Sequence, residues 1–313
     1  MIDIMLLGTG AMLPLPGRWL SSVIARCDGA TILVDCGEGT QIAWKAQGWG
    51  FRRLSAICIS HTHADHIAGL PGLLHTVANS GRIEPIDLFG PPGIVDVVWG
   101  LRSIAPDLPY DLRVKELVSG EQFELPGGLR GGCVAGEHQL PVLAYRFDLP
   151  RTRAFLPDRA RELQVPIRYW GRLQRGERVE WDGRTIDPAA VLGPPRRGLA
   201  FAVITDTRPT GDFVNLARGV DLLVCEGTYG SDDDRPKAVR NQHMTFREAA
   251  TIAREAGARE LWLTHFSPAL TAPESFAGNA TEVFPATTIG RAGLAISLEF
   301  DDEATASAIL PGE

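Results

Sequence analysis

The stretch "CISHTHADHIAGLPGLL", Cys58–Leu74, sets His61, His63, Asp65 and His66 side by side at the end of an apolar, strand-like run and just before a Gly/Pro-punctuated helical pattern. Satisfied polar loop residues are a poor explanation for so dense a run of imidazole and carboxylate groups. In an extended segment alternate side chains point the same way, so His61 and His63 can share one cation. Asp65 and His66 then turn towards a second position nearby. One loop thereby seeds a two-metal site, and mixed imidazole and carboxylate ligation suits zinc or manganese. Four ligands do not complete two shells, so partners must come from elsewhere in the chain.

Histidine usage shows where to look. The remaining four are His75, His138, His243 and His265. His138 follows a strand-like stretch in "GEHQLP", and His265 ends the strand pattern "ELWLTH". Asp206 in "VITDTRP" also stands at a strand end, and a carboxylate with two oxygens is a natural bridge between adjacent divalent ions. Taken singly, each of these is structural about as often as it is a ligand. His75, inside the helical pattern "LLHTVA", reads as an ordinary helix residue.

The pattern around this loop defines the architecture. Short apolar runs with Gly or Pro boundaries recur as "IDIMLLG", "SSVIARC", "TILVDCG", "AICISH", "PIDLFG", "AYRFDL", "LAFAVITD", "VDLLVCEG", "ELWLTHF" and "GLAISLEF", and their length and β-branched content favour strands. Helical patterns lie between them in "EGTQIAWKAQGW", "PPGIVDVVWGLRSI" and "TFREAATIAREAGA", the last with Gly257 as its C-cap. Several adjacent strands come first and strand-then-helix units later. That order predicts an α/β fold of two sheets packed face to face with helices outside, a four-layer αββα sandwich. The 313 residues, 44% of them hydrophobic, are read as a single domain over 1–313 with an inserted, protruding arm at about 151–197, where five prolines, with Pro150 just before them, interrupt the regularity.

The formal charge is −7, which argues against a polyanionic partner for the molecule as a whole. The charge is unevenly spread, however. Residues 151–197 carry 11 Arg against 6 Asp and Glu, a net of +5, leaving −12 for the rest. With 28 Arg and only 3 Lys in the chain, that excess alone is also what a solvated insertion would show. Cys27, Cys36, Cys58, Cys133 and Cys225 are odd in number, lack CxxC spacing and sit in apolar contexts, and so read as buried free thiols. The first residues, "MIDIMLLG", carry an acid and no basic region, and no apolar run reaches spanning length; the expectation is a cytoplasmic protein with no membrane partner.

Together these motifs resemble the ribonuclease Z family of the metallo-β-lactamase superfamily. "LLGTGAMLPLP", "LVDCGEGTQ", "SHTHADHIAGLPGLL", "LFGPPG", "LGPPRRG", "ITDTRP", "HMTFREAA" and "LTHFSP" occur in that family's order over nearly the whole chain. The resemblance implies a metallo-β-lactamase fold and a transfer RNA 3′-processing endoribonuclease holding two divalent ions per subunit, zinc first, with manganese and magnesium as alternatives. It assigns His61, His63 and His138 to one ion, Asp65, His66 and His265 to the other, and Asp206 to the bridge. It makes Asp35 the aspartate that orients the metal loop. Asp65 would orient the attacking hydroxide, His243 protonate the departing oxygen, and Glu226 support His243. It further implies a homodimer whose arm clasps precursor transfer RNA, with Arg168, Tyr169, Trp170, Arg172, Arg175 and Arg178 as RNA contacts. Three features depart from the family pattern: the arm reads "VPIRYWGRLQRGE" in place of a Gly-Pro-rich tip, the metal loop has the non-ligating Thr62 and Ala64 where bulkier and glycine fillers are commoner, and "SPAL" lacks the usual arginine and tyrosine.

Two other functions compete on the residues alone. A phosphodiesterase or esterase of the same superfamily acting on a small substrate keeps the metal site and needs no arm. A non-catalytic RNA-binding member needs the arm and no complete ligand set.

Overall fold

The structure is a computed structural model and describes residues 1–300. The chain divides into two compact units, Met1–Asp148 with Ala200–Glu299, and Leu149–Leu199.

The first half of the larger unit runs through β1 (Ile2–Gly8), β2 (Ser22–Cys27), β3 (Ala30–Val34), β4 (Leu54–Cys58), β5 (Ile86–Gly90) and β6 (Leu112–Glu116). It continues through β7 (Gln122–Glu124), β8 (Arg130–Ala135) and β9 (Leu143–Arg151). The smaller unit holds the hairpin β10 (Val179–Trp181) and β11 (Arg184–Ile186). After it come β12 (Arg196–Ile204), β13 (Leu222–Glu226), β14 (Leu261–Thr264), β15 (Thr287–Ile289) and β16 (Ala295–Leu298). Two seven-stranded mixed sheets result, ordered β16-β1-β2-β3-β4-β5-β6 and β15-β14-β13-β12-β9-β8-β7.

Alternation along the strands makes the layers. Met5, Leu7, Ile24, Leu33 and Ile57 of the first sheet pack with Trp44, Leu70, Leu73, Val77 and Val98 of the helices on its outer side. Ala202, Ile204, Leu223, Cys225 and Leu263 of the second sheet pack in the same way with Phe213, Phe246, Ala249 and Ala253. The opposite faces of both sheets are also buried, as at Ile4, Leu6, Val203, Val224 and Trp262. They meet across the middle: Phe89 of β5 lies 4.6 Å from Phe123 of β7, ring centre to ring centre, and the Tyr145 hydroxyl donates to the Ile59 carbonyl at 2.7 Å. This is the four-layer αββα sandwich.

All ten apolar runs quoted above are strands. The ones that pattern misses are β6, β7, β8 and β15 of the two large sheets and the three-residue strands β10 and β11 of the hairpin; they are short or lie towards sheet edges, where one face is exposed and no continuous apolar run is required. The helix Phe246–Ala256 begins with a capping box between Thr245 and Glu248 and ends at Gly257, whose φ of 63° supplies the left-handed cap. All five cysteines are free and buried. No described helix is long and apolar enough to cross a membrane.

Two glycines of the motifs have a packing reason. The segment after β3 and the segment after the short helix Ala64–Ile67 run backbone against backbone, with Cys36 N–H donating to His66 O at 2.8 Å and Gly69 N–H to Cys36 O at 2.9 Å. A Cβ on Gly69 would fall 2.0 Å from the Gly37 carbonyl oxygen, and one on Gly37 would fall 2.1 Å from the Asp65 oxygen. "DCGEGTQ" and "HIAGLPGLL" are therefore one contact in space. Gly69→Ala is expected to lower stability by about 1–3 kcal/mol through overpacking, read as a drop in the denaturation midpoint. It should also loosen the metal loop.

The smaller unit has its own small core of Ala160, Val165, Leu173, Val179, Ile186 and Val191, against which Tyr169 and Trp170 pack. The Trp170 indole donates to Val165 O at 2.9 Å. In this unit Arg172 and Arg175 pair with Glu177, and Arg178 pairs with Asp187. Arg168 is exposed and lies over the Tyr169 ring.

Candidate metal centre and active site

Strand ends build the site. His61 and His63 follow β4, with Asp65 and His66 in the short helix after them; Asp35 follows β3, Asp206 follows β12 and His265 follows β14. His138 lies between β8 and β9, and Glu226 is the last residue of β13. Asp35 and His265 adopt left-handed backbone angles, φ 62° and 60°, costly for non-glycine residues and typical of functional sites.

The side chains converge in two overlapping groups. The first holds His61, His63, His138 and Asp206, and the second holds Asp65, His66, Asp206 and His265; within each, the donor atoms lie within 4.8 Å of one another. His63 Nδ1 lies 2.9 Å from His61 Nε2 and 3.2 Å from His138 Nε2. Asp206 faces both groups, Oδ2 at 3.7 and 3.9 Å from His61 and His138 Nε2, and Oδ1 at 3.2 and 3.0 Å from His66 and His265 Nε2. Asp65 Oδ2 stands 3.5 and 3.6 Å from the same two nitrogens.

These residues fit divalent cations. Tetrahedral zinc with ligands at about 2.0–2.1 Å places neighbouring ligand atoms roughly 3.3 Å apart, close to the spacings here. A single proton on His63 Nδ1 cannot serve both neighbouring imidazole nitrogens, whereas one cation can. Asp206 Oδ1 is buried and accepts no hydrogen bond, although two imidazole nitrogens lie beside it. Burial pushes His61, His63 and His138 below the ordinary histidine value, keeping them in the neutral, ligating form. At His66 and His265 burial is outweighed by the Asp206 carboxylate, which holds His265 up at about 10. The buried negative charge of Asp206 thus calls for positive charge at the centre.

Hydrogen bonds on the far side of the rings of His61, His66, His138 and His265 fix their tautomers. The Ser60 hydroxyl donates to Asp35 Oδ2 at 2.8 Å and lies 3.0 Å from His61 Nδ1. Asp35 Oδ2 also meets His66 Nδ1 at 2.7 Å, while its Oδ1 accepts from Ser60 N at 2.7 Å. His265 Nδ1 lies 3.0 Å from the Thr228 hydroxyl, and His138 Nδ1 lies 3.3 Å from Gln242 O. With Nδ1 protonated in each, Nε2 is left to ligate. Asp35→Asn removes one acceptor from this scaffold and is expected to weaken metal affinity by about 10–100-fold, measured by competition with a chelating indicator, with little change in secondary structure.

Beside the centre, His243 Nδ1 lies 3.1 Å from Glu226 Oε1. Glu226 is fully buried and accepts from Thr207 N at 2.7 Å, the Thr228 hydroxyl at 2.6 Å and Met244 N at 3.0 Å. Burial works against a charged His243, but Glu226 outweighs it and raises the imidazole above its ordinary value. The His243 ring lies 5.2 Å from that of His138 and 5.4 Å from that of His265.

Every metal-site and acid–base residue expected from the sequence is drawn into this one region. His75 stays apart on its helix, exposed. Arg168, Tyr169, Trp170, Arg172, Arg175 and Arg178 belong to the other compact unit. Sequence reasoning missed three supports. Met12, at φ 64°, donates its N–H to Asp65 Oδ2 at 2.7 Å. Arg208 donates to the His243 carbonyl and at 3.0 Å to Glu248, tying the histidine's segment to the capping box. Thr228 bridges His265 and Glu226. The pattern Thr-x-x-Glu at Thr245–Glu248 was a readable signal for the second; the others depend on contacts between distant segments.

Comparison with known proteins agrees with this geometry. A family profile described as β-lactamase superfamily domain matches residues 174–266, and one described as anti-Pycsar protein Apyc1 matches residues 2–106. Ribonuclease Z of Lachnoclostridium phytofermentans is 43% identical over 301 residues, 96% of this chain and 99% of that protein. The enzyme of that name from Clostridium tetani is 44% identical over 312 residues, with 96% and 100% covered. The crystal structure of human tRNase Z, short form, superposes with a TM-score of 0.67 at 25% identity, covering 95% of this chain and all of that one. The metallo-β-lactamase fold protein YhfI of Bacillus subtilis, at TM-score 0.68 and 19% identity, shares the fold over 94% of this chain and 98% of its own. Fold and site together define a metal-binding hydrolase of the metallo-β-lactamase superfamily. Within that class, the chain belongs to the ribonuclease Z family, the hydrolases that act as endoribonucleases.

Proposed function

We propose that the protein removes the 3′ trailer from precursor transfer RNA by hydrolysing one phosphodiester bond, leaving a 3′-hydroxyl on the transfer RNA and a 5′-phosphate on the trailer. The observation that carries this reading is Asp206, whose two oxygens face two separate ligand sets, with a proton donor, His243, standing beside both. His61, His63 and His138 would hold one divalent ion, Asp65, His66 and His265 the other, and Asp206 both; zinc suits this donor set. Such ions, when bound, supply a water acidic enough to attack at neutral pH and a counter-charge for the phosphate.

The chain's own residues do the remaining work. Asp65 has one oxygen held by Met12 N–H; the other takes no hydrogen bond from the described residues and orients the attacking water. His243, kept protonated by Glu226, donates its proton to the departing 3′-oxygen, so that the leaving group departs neutral. Asp35 keeps the metal loop and His66 in register. The reading also takes the chain as one domain carrying an arm at about 151–197, a homodimer, and a cytoplasmic protein. In the arm, Arg168, Arg172, Arg175 and Arg178 give backbone phosphates their contacts, while Tyr169 and Trp170 act from the arm's small core.

The test is incubation of the purified, metal-loaded protein with a 3′-extended precursor transfer RNA, the cut mapped at nucleotide resolution. A single cut at the trailer junction with a 5′-phosphate on the released fragment is expected. Absence of cleavage with zinc, manganese and magnesium alike would overturn the proposal.

A further inference from the structure

A second charged site lies on the edge of the first sheet opposite the metal ligands. The ligands follow the C-terminal end of β4; at its N-terminal end Arg52 and Arg53 form the turn into the strand. Arg26, near the end of β2, pairs in register with Thr31, and Thr31 with Leu54, so the three arginines share that edge. Arg82 arrives there just ahead of β5. A cavity of about 610 Å³ is lined by these four arginines together with Ser55 and Glu84.

The four guanidinium groups are prepared in different ways. Arg82 is buried, and its donors are consumed by Glu84 O at 2.9 Å, Pro85 O at 2.7 Å and Arg52 O at 2.8 Å. It forms a fixed positive wall and anchors the backbone that presents Arg52. Arg26 lies over Trp49, its guanidinium carbon 3.7 Å from the ring centre. The side chains of Arg26, Arg52 and Arg53 make no hydrogen bond and no ion pair with a carboxylate of the described residues. Arginines elsewhere in the protein commonly have such partners, among them Arg159, Arg161, Arg172, Arg178 and Arg247. Facing the cavity, the only carboxylate in its lining is Glu84; Asp3 stands near Arg26, and Arg53 opposes Arg26 by like charge.

Like charges gathered in a concavity repel one another, and the planar donors of Arg26, Arg52 and Arg53 remain unused. Both costs are removed by an oxyanion that accepts paired N–H groups, and phosphate matches the guanidinium fork. The volume is that of an ordinary small-ligand cavity. We infer that the Arg26–Arg52–Arg53 cavity is a phosphate-binding site distinct from the catalytic centre. Its ligand is a phosphate group, carried either by an RNA backbone or by a small phosphorylated molecule.

The experiment has two arms. In the first, inorganic phosphate is titrated calorimetrically into the full chain carrying Asp206→Asn and cleared of residual metal with a chelator, so that the metal centre does not compete for phosphate. Adding Arg26→Gln and Arg53→Gln is expected to weaken binding at least about tenfold, as loss of charge-assisted hydrogen bonds of about 1.5–3 kcal/mol dictates. Equal affinity with and without the two substitutions, or no phosphate binding in either protein, overturns the proposal. The two side chains make no hydrogen bond or ion pair within the described residues, so a melting temperature close to wild type checks that the fold is intact. In the second arm, the enzyme with Asp206 intact and the same two substitutions is compared on precursor transfer RNA. If RNA is the source of the phosphate, KM rises and the slope of log KM against log salt falls by about 2. If phosphate affinity is lost while KM and its salt slope stay fixed, the site serves a small phosphorylated molecule. The first arm does not depend on RNA cleavage, so failure of the proposed function leaves it readable.

Discussion

Asp206→Asn is expected to lower cleavage by more than about a thousand-fold and to reduce bound metal to less than half of the wild-type content. The reasoning is geometric. Substitutions of groups that only orient a ligand cost about 10–100-fold in affinity or activity, and Asp206 is not of that kind. Its Oδ2 belongs to the set of His61, His63 and His138, and its Oδ1 to the set of Asp65, His66 and His265. An amide of the same shape has one weak acceptor oxygen and one nitrogen that bears protons, so it can serve one set at most. It also removes the negative charge that holds His66 and His265 above their ordinary values. Metal analysis by plasma mass spectrometry, alongside the cleavage rate, checks both halves. Full metal content with full activity would mean that Asp206 is not the bridge.

His243→Ala is expected to act on the chemical step and leave metal content alone. Loss of a general acid costs about 10²–10⁴-fold in kcat, and a ribose 3′-oxygen, a poor leaving group, makes the larger end of that range appropriate. The discriminating readout is the leaving group. On an aryl phosphodiester such as bis(p-nitrophenyl) phosphate the departing oxygen needs no proton, so the same variant should lose far less. A uniform loss on both substrates would assign His243 to structure, through its bond with Glu226, instead of to proton transfer.

The two halves of the molecule were unequally legible from the chain. Strands buried on both faces, such as β1, β12 and β13, announce themselves as continuous apolar runs. The edge strand β6, with its alternating exposed residues, does not. Among site residues, the loop from His61 to His66 was plain because four ligands crowd into one segment. Asp206, His138 and His265 were recognisable only as polar residues at strand ends until the family's motif order linked them. The arm looked like an irregular insertion because its prolines break periodicity; its small core of scattered apolar residues has no repeat to betray it.

What the sequence by itself determined is local in origin. Apolar periodicity set two sheets with helices outside, and the ligand types set the chemistry of a divalent-metal site, since imidazole and carboxylate are chosen by residue identity. Tertiary structure alone decided how those ligands divide. That Asp206 faces both sets, that Gly37 and Gly69 cross backbone to backbone beneath the metal loop, and that Glu226 collects five hydrogen bonds to fix His243 all follow from strands brought side by side by the packing of two sheets. So does the gathering of Arg26, Arg53 and Arg82 around one cavity. Distances between residues far apart in the chain are set by sheet register and layer packing, and no window of sequence contains them.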